Sequence, residues 1–245
     1  MEDKPFEFIP AVKSSPFILT CEHAAADIPD EYHHLGLSDA DLNKHIARDK
    51  GAGEICRLLA EKLGCAAFLG KYSRLLIDLN RRTDESELIV KESDKIQIPG
   101  NADLSDAERQ KRIDCFYAPY YKAINAYIDN MKQQGITPVI FSIHSYTPQL
   151  KGGNYRPWQA GVLYHKPAAF ADYLYKNLAK SSKVIGENVP YDLRQYNTGA
   201  VIICGEEKGL DYGLIEIRDD EFDNLAAGAA EWAQILSDIM LKYRS

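Results

Sequence analysis

Cysteine is sparse and poorly spaced for cross-linking: Cys21, Cys56, Cys65, Cys115 and Cys204 are the only five, with no Cys-x-x-Cys pair among them. An odd set without paired spacing argues against a disulfide framework and against a structural four-cysteine zinc site. Long apolar runs are missing too, and no window approaches the roughly 20 apolar residues that a membrane span requires. The first twenty residues, MEDKPFEFIPAVKSSPFILT, carry Glu2 and Asp3 and no long apolar core, unlike a secretory signal. Positive charge is in deficit: 29 Lys plus Arg face 36 Asp plus Glu, a formal net charge of −7. Neither nucleic acid nor an anionic bilayer would be steered toward such a surface, so no partner of either kind is expected. With 16 Gly and 11 Pro, no repeat and no low-complexity tract, a long flexible linker is not expected either.

What is present is ordinary globular composition, 45% hydrophobic and 27% charged over 245 residues, expected to form a single domain over 1–245 in the reducing cytoplasm. Apolar runs alternate with helical stripes. Strands are expected at 17–21 (FILTC), 66–69, 75–79, 138–143 (PVIFSI), 161–164 (GVLY), 200–204 and 214–217. Capping boxes at Ser38-Asp39-Ala40-Asp41 and Ser105-Asp106-Ala107-Glu108 predict helix starts. The second opens a long amphipathic region to Gln134, with a bend at Pro119. Further helices are predicted over 53–63, stopped by Gly64, over 167–179 and over 220–243. Residues 83–103 show no stripe and read as a surface loop. The alternation implies an α/β fold: a three-layer helix–sheet–helix sandwich around a mixed, largely parallel sheet.

In open α/β sheets, ligands gather beyond the carboxyl ends of the strands. Four polar clusters fall there: Glu22-His23 after FILTC, Asp78-Asn80-Arg81 in LLIDLN, His144-Ser145 after PVIFSI, and Glu216-Arg218 in LIEIR. Each alone reads as readily as a structural ion pair or a satisfied histidine. Together they are harder to dismiss, because buried unpaired charge is expensive. Two imidazoles and a carboxylate can make a three-ligand zinc site with an open position. A further carboxylate can act as a general base, and an arginine fork can hold a substrate carboxylate. His33, His34 and His165 read as incidental. His45 and Asp49, four apart, share a face if their helix persists that far, and the small residues Gly51-Ala52-Gly53 after Asp49 allow close backbone approach.

These residues resemble the N-formylglutamate amidohydrolase family. The likeness is carried by Cys21-Glu22-His23 with Ile28-Pro29, Asp49-Lys50-Gly51-Ala52, SRLLIDLNR over 73–81, Ile143-His144-Ser145-Tyr146, Gly186-Glu187-Asn188 with Pro190-Tyr191, and EIRDD over 216–220. It runs from about 17 to 222. The resemblance implies a zinc-dependent hydrolase with a phosphorylase/hydrolase-like fold similar to zinc carboxypeptidases and aspartoacylase, releasing formate and glutamate from N-formyl-L-glutamate. It implies zinc on His23, Asp49 and His144, with Glu216 as the general base. Arg81 with Asn80 would hold the α-carboxylate, and Arg74 or Arg218 the second carboxylate or the oxyanion. In the carboxypeptidase-type motif a Glu stands three residues after the first His. Here that position is Ala26, so Asp49, with Glu22 behind it, is the expected carboxylate ligand. Cys204 and Tyr121 also depart from the family pattern. The alternatives are a catalytically silent binder of acyl amino acids and a carboxypeptidase or deacylase for another acyl group.

Overall fold

The computed structural model describes residues 4–243; Glu2 and Asp3, used above in reading the N-terminus, lie outside them. The strands in chain order are β1 (Phe6–Ile9), β2 (Phe17–Cys21), β3 (Ala66–Gly70), β4 (Glu92–Ser93), β5 (Ile96–Gln97), β6 (Val139–Tyr146), β7 (Ala160–Leu163), β8 (Ile185–Glu187) and β9 (Asp211–Arg218). The helices are α1 (Asp39–Leu42), α2 (Ala52–Leu63), α3 (Asp106–Arg112), α4 (Ala118–Gln133), α5 (Ala169–Leu178) and α6 (Leu225–Met240). One sheet has the order β1-β3-β2-β6-β9-β7-β8, and β4-β5 is a separate hairpin. β2 runs parallel to β3 and β6, β6 to β9 and β7 to β8, while the β1–β3 and β7–β9 pairs are antiparallel. The chain is therefore an α/β protein with a mixed, mostly parallel sheet flanked by helices.

Successive side chains of a strand point to opposite faces, and here both faces are covered. Leu19, Phe141 and Ile215 meet Ile55 and Leu59 of α2, Phe170 of α5 and Trp232 of α6. Ile18, Ile140 and Leu214 join Tyr120, Ile124 and Ile128 of α4 on the other side. Burial on both faces is why the central strands read as nearly unbroken apolar runs. Each such aliphatic or phenyl side chain, fully withdrawn from water, contributes roughly 1.5–3 kcal/mol.

Ser38 and Ser105 cap as expected, accepting from the Asp41 and Glu108 N–H groups at 3.2 Å. But α1 stops at Leu42. His45 and Asp49 therefore share no helical face; His45 instead faces Asp94 at 3.5 Å. From Asp106 the chain stays helical to Gln133 through a wide π turn, Ile113–Tyr117. Pro119 follows it in the first turn of α4, where a missing N–H is tolerated, so the irregularity precedes the proline.

Residues 75–79 are not a strand. Leu75, Leu76 and Ile77 are buried in a turn, with the Leu75 carbonyl taken by Asn101 Nδ2 at 2.8 Å and the Leu76 carbonyl by Arg112 Nη1 at 3.0 Å. Side chains do there what a neighbouring strand would have done. Residues 200–204 likewise enter a π turn, Val201–Gly205, rather than a strand; a short buried apolar run suits either state. The 83–103 segment is more than a surface loop, since it carries the β4-β5 hairpin and buries Leu88, Ile98 and Asn101. The edge strands β1 and β8 were not anticipated.

Candidate active site

Because β2, β6 and β9 are parallel, their carboxyl ends open on one edge of the sheet. Glu22 and His23 follow β2, while His144 on β6 and Glu216 on β9 are register partners. Asp49 arrives on the turn before α2, its N–H donating to the His23 carbonyl at 3.0 Å. Gly51 makes that turn possible: its φ is +81°, and a Cβ there would lie 2.5 Å from the Phe222 ring.

One Asp49 oxygen is the common vertex. Oδ2 lies 3.3 Å from His23 Nδ1 and 2.8 Å from His144 Nδ1. Ligand atoms of His23, Asp49 and His144 all fall within 4.8 Å of one another. The far nitrogens are backed by carboxylates, His23 Nε2 by Asp78 Oδ1 at 2.7 Å and His144 Nε2 by Glu22 Oε2 at 2.9 Å. Glu22 accepts from Ser142 Oγ at 2.6 Å and from the Tyr120 hydroxyl at 3.2 Å. Asp78 accepts from Arg74 Nη2 at 3.1 Å and from the Asn80 N–H at 2.8 Å. Outer carboxylates of this kind fix the tautomer and orientation of metal-binding histidines.

Charge points the same way. Glu22, Asp49 and Asp78 are buried, and Arg74 is the guanidinium in contact with both aspartates. With neutral imidazoles, three buried carboxylates against one guanidinium leave two negative charges, the complement of a divalent cation. Burial works against a charged His144, yet the hydrogen bonds it donates to the Asp49 and Glu22 carboxylates raise it well above the usual histidine range. Burial also disfavours the Asp49 and Asp78 anions, but His23 and its neighbours hold both well below the usual carboxylate range. The buried His-Asp-His group could hold a metal ion.

Glu216 differs from these carboxylates. Its Oε2 is buried without a hydrogen-bond partner, and burial, opposed by His144 and aided by Asp49, pushes its pKa up to about 7. Asn80 Oδ1 and Ser145 Oγ are also buried without partners. All three residues line a cavity of about 260 Å³ with His23, His144, Arg74 and Arg81. Gly199, at φ +91°, leaves room for Asn80, since a Cβ there would fall 2.3 Å from Oδ1.

Of the site residues expected from sequence, His23, His144, Glu216, Arg74, Asn80 and Arg81 line this cavity, with Asp49 at its back. Arg218 does not: its Nε donates to Asp220 at 2.7 Å and its Nη1 to the Arg156 and Pro157 carbonyls at 3.1 and 2.9 Å. Glu22 backs His144 and stands outside the vertex. Tyr121 braces the Asn80-bearing segment by donating to the Leu79 carbonyl at 2.7 Å. His165 pairs with Glu206 at 3.0 Å, away from the cavity. Sequence reading missed Tyr120 and Ser142 as supports for Glu22. It also missed Leu163, Tyr191, Leu193 and Tyr196 as cavity walls. The two-residue spacing of Ser142 and His144, which puts both on one strand face, was the available signal for Ser142.

A family model for N-formylglutamate amidohydrolase matches residues 15–222. The chain belongs to the N-formylglutamate amidohydrolase family. No curated protein matches it. Among solved structures, a gene product of Agrobacterium tumefaciens is 32% identical, with 98% of this chain and 95% of that one covered and a TM-score of 0.93. An N-formylglutamate amidohydrolase from Ralstonia eutropha shares the fold at 17% identity, with 98% and 97% covered and a TM-score of 0.69. Membership of this amidohydrolase family supports hydrolase activity and a small-molecule substrate. Every motif that carried the resemblance lies within the matched span. Among the described residues, no helix is long and apolar enough to cross a membrane.

Proposed function

We propose that the chain is a cytoplasmic, zinc-dependent amidohydrolase that cleaves the formamide of N-formyl-L-glutamate, or the amide of a related N-acyl amino acid, to formate (or the corresponding acid) and the free amino acid. The observation that carries this reading is Glu216: a buried, unpartnered carboxyl in register with His144, on the same cavity as the His-Asp-His group. His23 Nδ1, Asp49 Oδ2 and His144 Nδ1 would hold the zinc. Bound there, zinc would polarise the substrate carbonyl and acidify a water. Glu216 accepts the proton of the attacking water and returns it to the departing amine nitrogen. Asp78 and Glu22 hold the imidazoles in place. Arg81, with Asn80, holds the α-carboxylate, and Arg74 stabilises the oxyanion. Cys204 and Tyr121, the departures that motivate a silent relative, do not line the cavity. Amine release from N-formyl and N-acetyl amino acids by zinc-loaded protein tests the reading. No release from any of them overturns it.

Arg81→Lys separates clamp from scaffold. Arg81 Nε lies 3.3 Å from Glu87 and 3.9 Å from Glu85, and its Nη1 donates to the Asn80 carbonyl at 3.2 Å. A lysine keeps the charge but loses the planar fork. The substitution is expected to weaken N-acyl amino acids by roughly 1–3 kcal/mol of transition-state binding while barely touching the matched carboxamide. Equal losses on acid and amide, or a lowered melting temperature, would make Arg81 a structural residue only.

A further inference from the structure

We infer that Arg156 and Tyr191 form the receptor for the second carboxylate of N-formyl-L-glutamate, an inference that rests on the amidohydrolase reading and assigns the residues that choose the amino acid. Arg156 is set apart from the other guanidiniums around the site by its partners. Arg74 meets Asp49 and Asp78 at 3.5 and 3.1 Å, Arg81 meets Glu87 at 3.3 Å, and Arg218 meets Asp220 at 2.7 Å. Arg156 has no carboxylate partner among the described residues. It is half-buried, and its Nη2 is closed to solvent without a hydrogen-bond partner. An unpaired cation with a buried, unused donor is costly to keep, and an incoming anion would relieve that cost.

Tyr191 connects that charge to the cavity. Its side chain lines the cavity, and its hydroxyl accepts from Arg156 Nη1 at 3.0 Å. The hydroxyl's own proton has no protein acceptor among the described residues, so it can be donated to an anion. The guanidinium stands 5.4 Å from the Tyr191 ring and 5.5 Å from the Tyr146 ring, two aromatic groups that attract a cation but leave Nη2 without an acceptor. The backbone beneath it is pinned on both sides. The Arg156 N–H donates to the Pro148 carbonyl at 2.9 Å, and the Arg156 carbonyl accepts from Arg218 Nη1 at 3.1 Å. Arg218 is thus a positioning residue for Arg156, which gives the arginine of EIRDD a role outside the cavity. The leucines of the wall, Leu163, Leu193 and Leu214, offer a carboxylate no donor. With Arg81 on the α-carboxylate, a side-chain carboxylate at the Tyr191 hydroxyl accepts its hydrogen bond and supplies the anion that Arg156 lacks. A side-chain carboxamide could accept the same bond, but its NH2 group would face the guanidinium donors.

The test pairs binding with turnover. Calorimetry on zinc-loaded Glu216→Gln protein is expected to show N-formyl-L-glutamate binding at least about tenfold tighter than N-formyl-L-glutamine, the worth of a charge-assisted hydrogen bond. Adding Arg156→Gln should erase that preference, and adding Tyr191→Phe, at a position 39% exposed, should cut it several-fold. Arg218→Gln should lower the same ratio while zinc is retained, and an intact ratio there removes its positioning role. The full preference kept in Arg156→Gln or in Tyr191→Phe overturns the inference, as does its absence from the Glu216→Gln parent or failure of both ligands to bind. A preference lost in both variants, without amine release from either ligand by the zinc-loaded wild type, supports the inference and sinks the hydrolase reading instead.

Discussion

Turnover of the zinc-loaded protein is expected to fall by about 10²–10⁴ in Glu216→Gln, the range for loss of a positioned general base. That corresponds to roughly 3–5 kcal/mol of barrier. Glutamine keeps the shape and hydrogen-bonding capacity of the side chain and removes only its basicity, so zinc content and substrate affinity should stay nearly constant. Stability should not suffer. In the wild type the Oε2 atom is buried and unpartnered, and a neutral amide there no longer carries the desolvation cost of a carboxylate. The melting temperature is expected to hold or rise while activity collapses, the pattern of a residue kept for chemistry at some cost to the fold. Unchanged kcat would remove Glu216 from the mechanism. A loss of activity matched by loss of zinc would recast it as a metal-site residue.

His23→Ala and His144→Ala are expected to reduce zinc from about one per chain to near zero after gel filtration, because a three-ligand site reduced to two holds zinc poorly. Asp49→Ala should do the same. Glu22→Gln and Asp78→Asn should behave differently, since each touches the far nitrogen of an imidazole. These variants should retain zinc at saturating metal while losing about 10–100-fold in affinity. Atomic emission on purified protein, with a competing chelator for the affinities, separates the two groups. The central strands are held by packing on α2, α4, α5 and α6, so circular dichroism should show the fold surviving. Full zinc in both histidine variants would refute the ligand assignment, and zinc retained only in Asp49→Ala would move the carboxylate ligand to Glu22.

Much of this was legible because the central strands are buried on both faces. FILTC marks where β2 ends and His23 follows it, whereas β6 runs past PVIFSI to Tyr146 and carries His144 within the strand. Glu216 stood out as a carboxylate inside an apolar strand. The outer contacts were not legible. Asp78 reaches His23 across 55 positions of sequence, through a turn whose carbonyls are satisfied by Asn101 and Arg112. Without those two partners in view, LLIDL has the look of a strand. Glu22 could be seen beside His23, but that it serves His144 depends on β2 and β6 lying side by side. Leu163 and Leu214 gave no signal of their own, because an apolar residue on a cavity wall reads the same as one in the core.

The π turn at 113–117 has a genetic consequence. An α-helix advances about 100° per residue, so the eight steps from Arg112 to Tyr120 would leave the two roughly 80° apart; absorbing one residue in the wider turn brings them to within about 20°. Both can then face the interior, Arg112 toward the Leu76 carbonyl and Tyr120 toward Glu22. The helix is in effect one residue longer than its phase requires, and the surplus sits where Asp114 and Cys115 face solvent. Deleting either one lets the turn relax to α geometry with Tyr120 and Tyr121 still in phase. Deleting Lys122 instead swings Ile124 and Ile128 off the core by about 100°. Lineages that shorten this helix should therefore do so at 113–117, and length variation elsewhere along it should be selected against.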